Sequence, residues 1–295
     1  MQKLSVIIVN FNTKDLLHKC LDNLKDIYSD LELIVVDNGS TDGSAQMVKQ
    51  NFPQVILVEN TNSGLAAGSN KGLEKATGDY LLYLGTDAFP TKDAIQGALE
   101  YMNKHLTIGV ATCKLVTRDG KPDMDAHRGF PTPWAALTHF SGLNKVFPRT
   151  KLFNQYFLGY KNMTEPHEID LCISHFMFIR KEVFASVGKW DEDFFVYGED
   201  VDFCYRVKQA GWKIIYLPQF TVLHYKGATV GIRKETKDIK NAASTSPETQ
   251  KRMRAETTKA MKLFYEKHYT KKYPFLLRKL VYAGIDMLSK IRAAR

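Results

Sequence analysis

The chain has 295 residues, 44% of them apolar and 25% charged, an ordinary globular composition that excludes disorder, collagen-like repeats and a small disulfide scaffold. Its net charge of +9 is uneven: residues 251–295 hold 13 basic and 3 acidic residues, so the body is nearly neutral and the tail basic. That separation argues against a general nucleic-acid-binding surface and for a charged appendage on an uncharged domain. Cys20, Cys113, Cys172 and Cys204 form no CxxC pair, so neither a zinc site nor a disulfide framework is expected and a reducing compartment fits.

Leu4–Val9 is too short for a signal h-region and lacks a cleavage site after it. No stretch reaches the ~18 to 20 apolar residues of a membrane span; Tyr273 to Ser289 is broken by Arg278, Lys279 and Asp286. The expectation is a protein kept in the cytoplasm.

Short β-branched runs at Leu4–Val9, Leu31–Val36, Gln54–Val58 and Tyr80–Leu84 alternate with helical patterns near 14–27, 43–51, 66–76 and 92–104. This βαβα order predicts a mostly parallel sheet with helices on both faces and ligands at the carboxyl ends of the strands. Residues 117–170, rich in proline and aromatics, read as irregular structure that shapes a site. Beyond them, Asp170 to Arg180 reads as a strand, Lys181 to Val187 and Gly198 to Ala210 as helices, and Lys213 to Tyr216 and Thr221 to Leu223 as two short strands. A polar, mobile segment from Thr229 to Pro247 precedes two helices near 248–268 and 273–292.

Each early strand ends in a polar group: Asn10-Phe11-Asn12, then Asp37-Asn38-Gly39-Ser40, then Asn60 to Gly64, then Gly85-Thr86-Asp87. Asp37 can accept hydrogen bonds from a base or ribose, although turn and cap chemistry alone also accounts for its surroundings. Gly64, Gly68 and Gly72 give the following helix a face without side chains, approached closely by a neighbouring strand or by a ligand at the helix N-terminus. Asn70, on that face, is a poor helix former that needs a polar partner if buried. Asp87 is either a turn residue or a hard oxygen ligand for a divalent cation on a diphosphate.

The densest cluster is Trp190 to Arg206, with Glu199, Asp200 and Asp202 in the first turn of one helix. Acids there complement the helix dipole, and Asp202 with Arg206 suits a surface ion pair. Asp200 points away from both and is left unexplained. His224 ends another short strand, as a metal ligand or as a satisfied polar residue.

In this order these stretches resemble inverting glycosyltransferases of family 2, nearest the bacterial rhamnosyl- and galactofuranosyl-transferase-like enzymes. The matching pieces are Ser5 to Asn12, Val35 to Gly43, Asn62 to Gly72, Thr86-Asp87, Phe194 to Phe203 and His224 to Gly227. The resemblance implies an α/β GT-A domain over residues 1–235, with a nucleotide-sugar-binding half (1–116) and an acceptor half (117–235), followed by a basic helical extension (236–295). It implies that Asn10, Asp37, Asn62, Gly64, Asn70 and Thr86 line the donor pocket. Asp87 matches the last carboxylate of the family's DxD motif and, with His224, would hold Mn²⁺ or Mg²⁺. Asp200 would be the general base, with Glu199 beside it positioning the acceptor. Two departures stand out. Gly85 occupies the first DxD position, and Ser174-His175 replaces a small Gly-Ala pair, which suggests a reshaped acceptor pocket.

The expected activity is transfer from a UDP- or dTDP-sugar to a hydroxyl of a lipid-linked cell-surface glycan. The tail's basic amphipathic helices suit an anionic membrane, placing the enzyme peripherally on the inner face. A solvated cap or dimer contact is the plainer alternative for that tail. A non-catalytic nucleotide-sugar-binding module and a nucleic-acid binder are the rival functions, the latter without a recognition motif.

Overall fold

Strands buried on both faces are written as unbroken apolar runs, and these runs build the first half of the sheet. The computed structural model describes residues 3–25, 27, 31–229 and 247–293. In it β1 (Leu4–Asn10), β2 (Leu31–Asp37), β3 (Ile56–Glu59) and β4 (Tyr80–Leu84) alternate with α1 (Lys14–Lys25), α2 (Ser44–Asn51) and α3 (Leu65–Lys75). β1 lies parallel to β2 and β4, and β2 parallel to β3. The side-chain-free stripe of α3 serves close packing: a Cβ on Gly68 would fall 2.8 Å from Val9 Cγ1, and one on Gly72 2.3 Å from Ile7 Cγ2.

The chain continues through β5 (Ala88–Pro90), α4 (Lys92–Lys104), β6 (Ile108–Val116), α5 (Pro133–Phe140), α6 (Leu143–Val146) and β7 (His167–Ile169). Then come β8 (Phe176–Arg180), α7 (Glu182–Val187), α8 (Glu199–Gln209) and β9 (Lys213–His224). The strand order is β3-β2-β1-β4-β8-β6-β9-β5, with β7 also on β9. β8 runs antiparallel to both β4 and β6, so the second half makes the sheet mixed rather than mostly parallel.

Other expectations are corrected. β5 and β6 have no counterpart in the sequence reading, and the stretch 117–170 expected to be irregular holds α5, α6 and β7; in β6 the continuous burial of Ile108–Leu115, apart from Lys114, erases the alternation that marks a half-exposed strand. The strand expected from Asp170 starts only at Phe176; the stretch before it turns away, with Leu171 bridged to Arg128. The two strands expected around Pro218 are one, because a register shift between Cys113 and Lys114 of β6 accommodates the proline at a bulge. The expected mobile segment falls largely on residues 230–246, outside the described residues.

α9 (Pro247–Tyr269) and α10 (Phe275–Ala293) form the tail. α9 packs on α8 through a cluster of Phe194, Tyr205, Ala260, Phe264, Tyr265 and Tyr269. His268 Nε2 lies 2.7 Å from Asp202 Oδ1, and Arg206 Nε donates to Asp202 Oδ2 at 2.8 Å. Asp202 is therefore no surface residue: it is buried where the tail docks. Lys267 pairs with Asp191 and Asp193, so part of the tail's positive charge is answered by the body. No helix among the described residues is long and apolar enough to cross a membrane, and all four cysteines are buried free thiols.

Truncating Phe264, buried in this tail cluster, removes a ring packed against three others. Phe264→Ala is expected to lower the unfolding free energy by ~3 kcal/mol or more, read from urea denaturation.

Candidate functional site

The carboxyl ends of β1, β2 and β4 carry one buried polar network. Asn10 Nδ2 donates to Asp37 Oδ1 (2.8 Å) and Ser40 Oγ (3.0 Å), and Asp37 Oδ2 accepts from the Ser40 N–H (3.1 Å). Thr13 Oγ1 donates to Asn10 Oδ1 at 2.7 Å and lies 3.1 Å from Thr86 Oγ1. Asn10, Asp37 and Thr86 thus form one unit, and the Asp37 carboxylate retains lone pairs beyond these bonds. Asn38 joins this edge to the next, donating to Asn62 Oδ1 (3.3 Å) and the Gly64 carbonyl (3.1 Å). Asn62 stands exposed at the rim. Gly64 is pressed against the Phe195 backbone, where a Cβ would meet its carbonyl oxygen at 2.5 Å.

Asn70 is placed differently from the other donor-pocket candidates. Its Nδ2 donates to the Trp190 carbonyl (2.9 Å) and Glu192 Oε1 (2.7 Å), while its Oδ1 accepts from the Trp190 N–H (3.0 Å). Both ends of the amide clamp α3 to the loop before α8, which is the polar partner a buried helical asparagine requires.

Three strand ends meet at Asp87. It follows β4, it precedes β5, and its carbonyl accepts from the Tyr225 N–H at 2.8 Å. β5 pairs Ala88 with His224, and β8 pairs Phe176 with Leu84, which sets His175 opposite Gly85. His175 Nε2 and His224 Nε2 each lie 3.7 Å from Asp87 Oδ1. Both Asp87 carboxylate oxygens and His224 Nε2 are buried without a hydrogen-bond partner, and ligand atoms of all three residues fall within 4.8 Å of one another. His224 Nδ1 contacts Asp123 Oδ2 at 2.9 Å; an ionised carboxylate only accepts, so Nδ1 carries the proton and Nε2 faces Asp87. A carboxylate behind a histidine in this way orients a metal ligand. Burial opposes the charge on Asp87, but His175 and His224 outweigh it and hold the carboxyl below its usual range. Burial likewise opposes protonation of His224, yet Asp123 and Asp87 push it up to about 9; a cation here competes with that proton.

The residues fit a divalent cation, with one carboxylate and two imidazoles. His175 turns to this cluster rather than serving only to shape an acceptor pocket. A Cβ on Gly85 would stand 2.7 Å from His175 Cδ2 and 2.9 Å from Asp87 Oδ1. The imidazole occupies the space that a side chain at position 85 would fill, so Gly85 and His175 are sterically matched.

α8 begins at Gly198 with φ of 86°, after Tyr197 at 66°. A bulky residue in the left-handed region is rare, and the two together swing Glu199 and Asp200 inward, where both are buried. Burial and the adjacent Asp200 push the Glu199 carboxyl well up. Burial pushes Asp200 up too, opposed first by Arg128, whose Nη2 lies 3.8 Å from Asp200 Oδ2. Arg128 thereby makes Asp200 the acid of the pair that more readily holds a negative charge. Arg128 is itself held by the Asp125 carbonyl (2.9 Å) and the Tyr156 hydroxyl (3.4 Å). Sequence reasoning singled out neither Arg128 nor, as a metal ligand, His175. Burial pushes the His175 imidazole down, opposed first by the charge of Asp87 and more weakly by that of Asp200.

A family model described as Glycosyl transferase family 2 matches residues 5–188. The N-acetylglucosaminyl-diphospho-decaprenol L-rhamnosyltransferase of Mycobacterium tuberculosis is 27% identical over 216 residues, 68% of either chain. Rhamnosyltransferase WbbL of Escherichia coli is 26% identical over 75% of this chain and 82% of its own. A mannosyltransferase from Pyrobaculum calidifontis, solved with GDP-Man and Mn²⁺, aligns with a TM-score of 0.55 over 99% of this chain and 84% of its own, at 18% identity. GalNAc-T7 with UDP, GalNAc and Mn²⁺ gives 0.55 over 76% of this chain and 44% of its own, at 19% identity. The structural likeness shows the GT-A fold.

His175→Ala is expected to weaken Mn²⁺ binding by ~10-fold or more, followed by the electron paramagnetic resonance of free Mn²⁺. Gly85→Ala should do the same by displacing the ring, and Gly85→Asp with His175→Ala should recover part of the loss. Removing the Arg128 guanidinium takes away the largest opposition to the burial of Asp200 and raises its pKa. In Arg128→Gln the rising limb of the pH–rate profile should therefore move to higher pH, because the base must be ionised to act.

Proposed function

The chain belongs to glycosyl transferase family 2, and from that premise we propose that it moves a sugar, with inversion, from a UDP- or dTDP-sugar to a hydroxyl of a lipid-linked cell-surface glycan. The carrying observation is the convergence, at the carboxyl edge of one sheet, of a buried polar network, the Asp87–His175–His224 cluster and a buried acid pair biased by Arg128.

In this reading Asn10, Asp37 and Thr86 hold the nucleoside, Asn62 and Gly64 shape the rim, and Asn70 fixes the loop that closes on it. A Mn²⁺ or Mg²⁺ held by Asp87, His224 and His175 would offset the negative charge gathering on the leaving diphosphate. Asp200 takes the proton of the acceptor hydroxyl as its oxygen bonds to the anomeric carbon. The bond from that carbon to the diphosphate oxygen breaks on the opposite side, and the nucleoside diphosphate leaves with the electron pair. Glu199, held neutral by burial, donates a hydrogen bond that positions the acceptor.

The named activities of the rhamnosyltransferase relatives support a sugar acceptor carried on a lipid diphosphate. α10 supports work at a membrane surface: Phe275, Leu276, Leu280 and Met287 are exposed alongside Lys279 and Lys290. Apolar and cationic side chains on one exposed helix suit an anionic lipid surface.

Asp200→Asn is expected to cost ~10²- to 10⁴-fold in transfer while the Mn²⁺-dependent thermal shift with donor persists. Undiminished transfer would remove Asp200 from the base role. A parent chain that binds donor but never transfers would make this a nucleotide-sugar-binding module.

A further inference from the structure

A second exposed apolar surface lies far from the tail in sequence. Trp134, Leu137 and Phe140 recur every three residues along α5 and face solvent, Leu137 being 57% exposed. Val146 (68% exposed) and Phe147 follow on α6 and its end, and Leu152 beyond them. Part of this set is joined through Phe153 and the Leu152 backbone. The Trp134 and Phe147 rings both pack on Phe153, with centroids 6.2 and 4.9 Å away, and Trp134 Nε1 donates to the Leu152 carbonyl at 2.7 Å. A soluble domain rarely leaves so many large apolar groups together in water without a partner.

The charge around them is one-sided. From Asp125 to Glu165 the chain carries no acidic residue between those two, but it carries Arg128, Lys145, Arg149, Lys151 and Lys161. Lys145, Arg149 and Lys151 are exposed among the apolar groups. A bilayer with anionic headgroups answers both features at once, the apolar groups and their acid-free, cationic border. The patch is also wired to the acid pair. His139 of α5 stacks on Tyr156 at 4.4 Å between centroids, Tyr156 accepts from Arg128, and Arg128 faces Asp200.

We propose that the α5–α6 hairpin, with Leu152, is an interfacial anchor that dips into an anionic lipid bilayer beside the acid pair. It would bring Asp200 to the headgroup level, where the hydroxyl of a lipid-borne acceptor is found. The acceptor clause rests on the transferase reading, whereas lipid binding by the hairpin does not.

The test uses the full chain with sedimenting vesicles of phosphatidylglycerol and phosphatidylcholine, and of phosphatidylcholine alone, without donor. The parent should bind the anionic vesicles and lose binding as salt rises. Leu137→Ser/Phe140→Ser/Val146→Ser should bind ~10-fold or more weakly, at a nearly unchanged melting temperature, since more than half of each of these side chains is exposed. Lys145→Glu/Arg149→Glu/Lys151→Glu should bind the anionic vesicles less and the neutral ones equally. Trp134 fluorescence, read with Trp190 and Trp212 replaced by Phe, should shift to the blue on binding. Binding by the hairpin variants equal to the parent, with loss confined to α10 variants, would overturn the proposal, as would a parent dimer that the hairpin variants dissolve without any vesicle binding. Vesicle binding with no glycosyl transfer from any donor would instead count against the transferase reading alone.

Discussion

A carboxylate buried away from water and without a hydrogen-bond partner is costly to keep charged. Asp87 is fully buried, and neither of its oxygens is bonded. The arrangement holds because two imidazoles face it across 3.7 Å and a second carboxylate, Asp123, backs one of them. Three strand ends must arrive together for this to happen. The sheet turns antiparallel at β8 to deliver His175, and β5 crosses to β9 to deliver His224. The mixed topology of the second half is thus what the site requires, since a parallel continuation would have left Asp87 facing nothing that could neutralise it.

The legible parts of the molecule were those whose signal is local. The Asn10 and Asp37 groups stand out as polar residues ending buried strands, although turn and cap chemistry competes for Asp37, and Asp200 stands out because neither the dipole nor its neighbours account for it. What stayed hidden depends on pairing between distant segments. The role of His175 follows from Leu84 lying opposite Phe176, a register no single sequence states. Gly85 was visible as a missing acid, but its link to His175 needed the distance between them. Arg128 sat inside a proline- and aromatic-rich stretch with no periodicity to place it. Asp202 and Arg206 gave the local signal of a surface pair, and the tail helix that docks on Asp202 lies over 60 residues on.

Two interactions join the parts of the chain that the site needs at once. The Asn70 clamp fastens α3, on the donor side, to the loop that leads into α8. The Leu65 N–H donates to the Phe195 carbonyl at 2.7 Å one turn away. The left-handed pair Tyr197-Gly198 then sets the direction in which the acids enter. Such strain persists only where the surroundings over-determine it, and these backbone bonds on the preceding loop supply that restraint.

α8 serves as a shared beam: its first turn presents Glu199 and Asp200, while its flank receives α9 through Asp202 and Tyr205. For anyone re-engineering the molecule, this means the C-terminal helices are not a detachable handle. A version shortened before α9 would bare Phe194 and Tyr205 and leave the buried Asp202 without His268, inviting self-association at the back of the very helix that carries the acids.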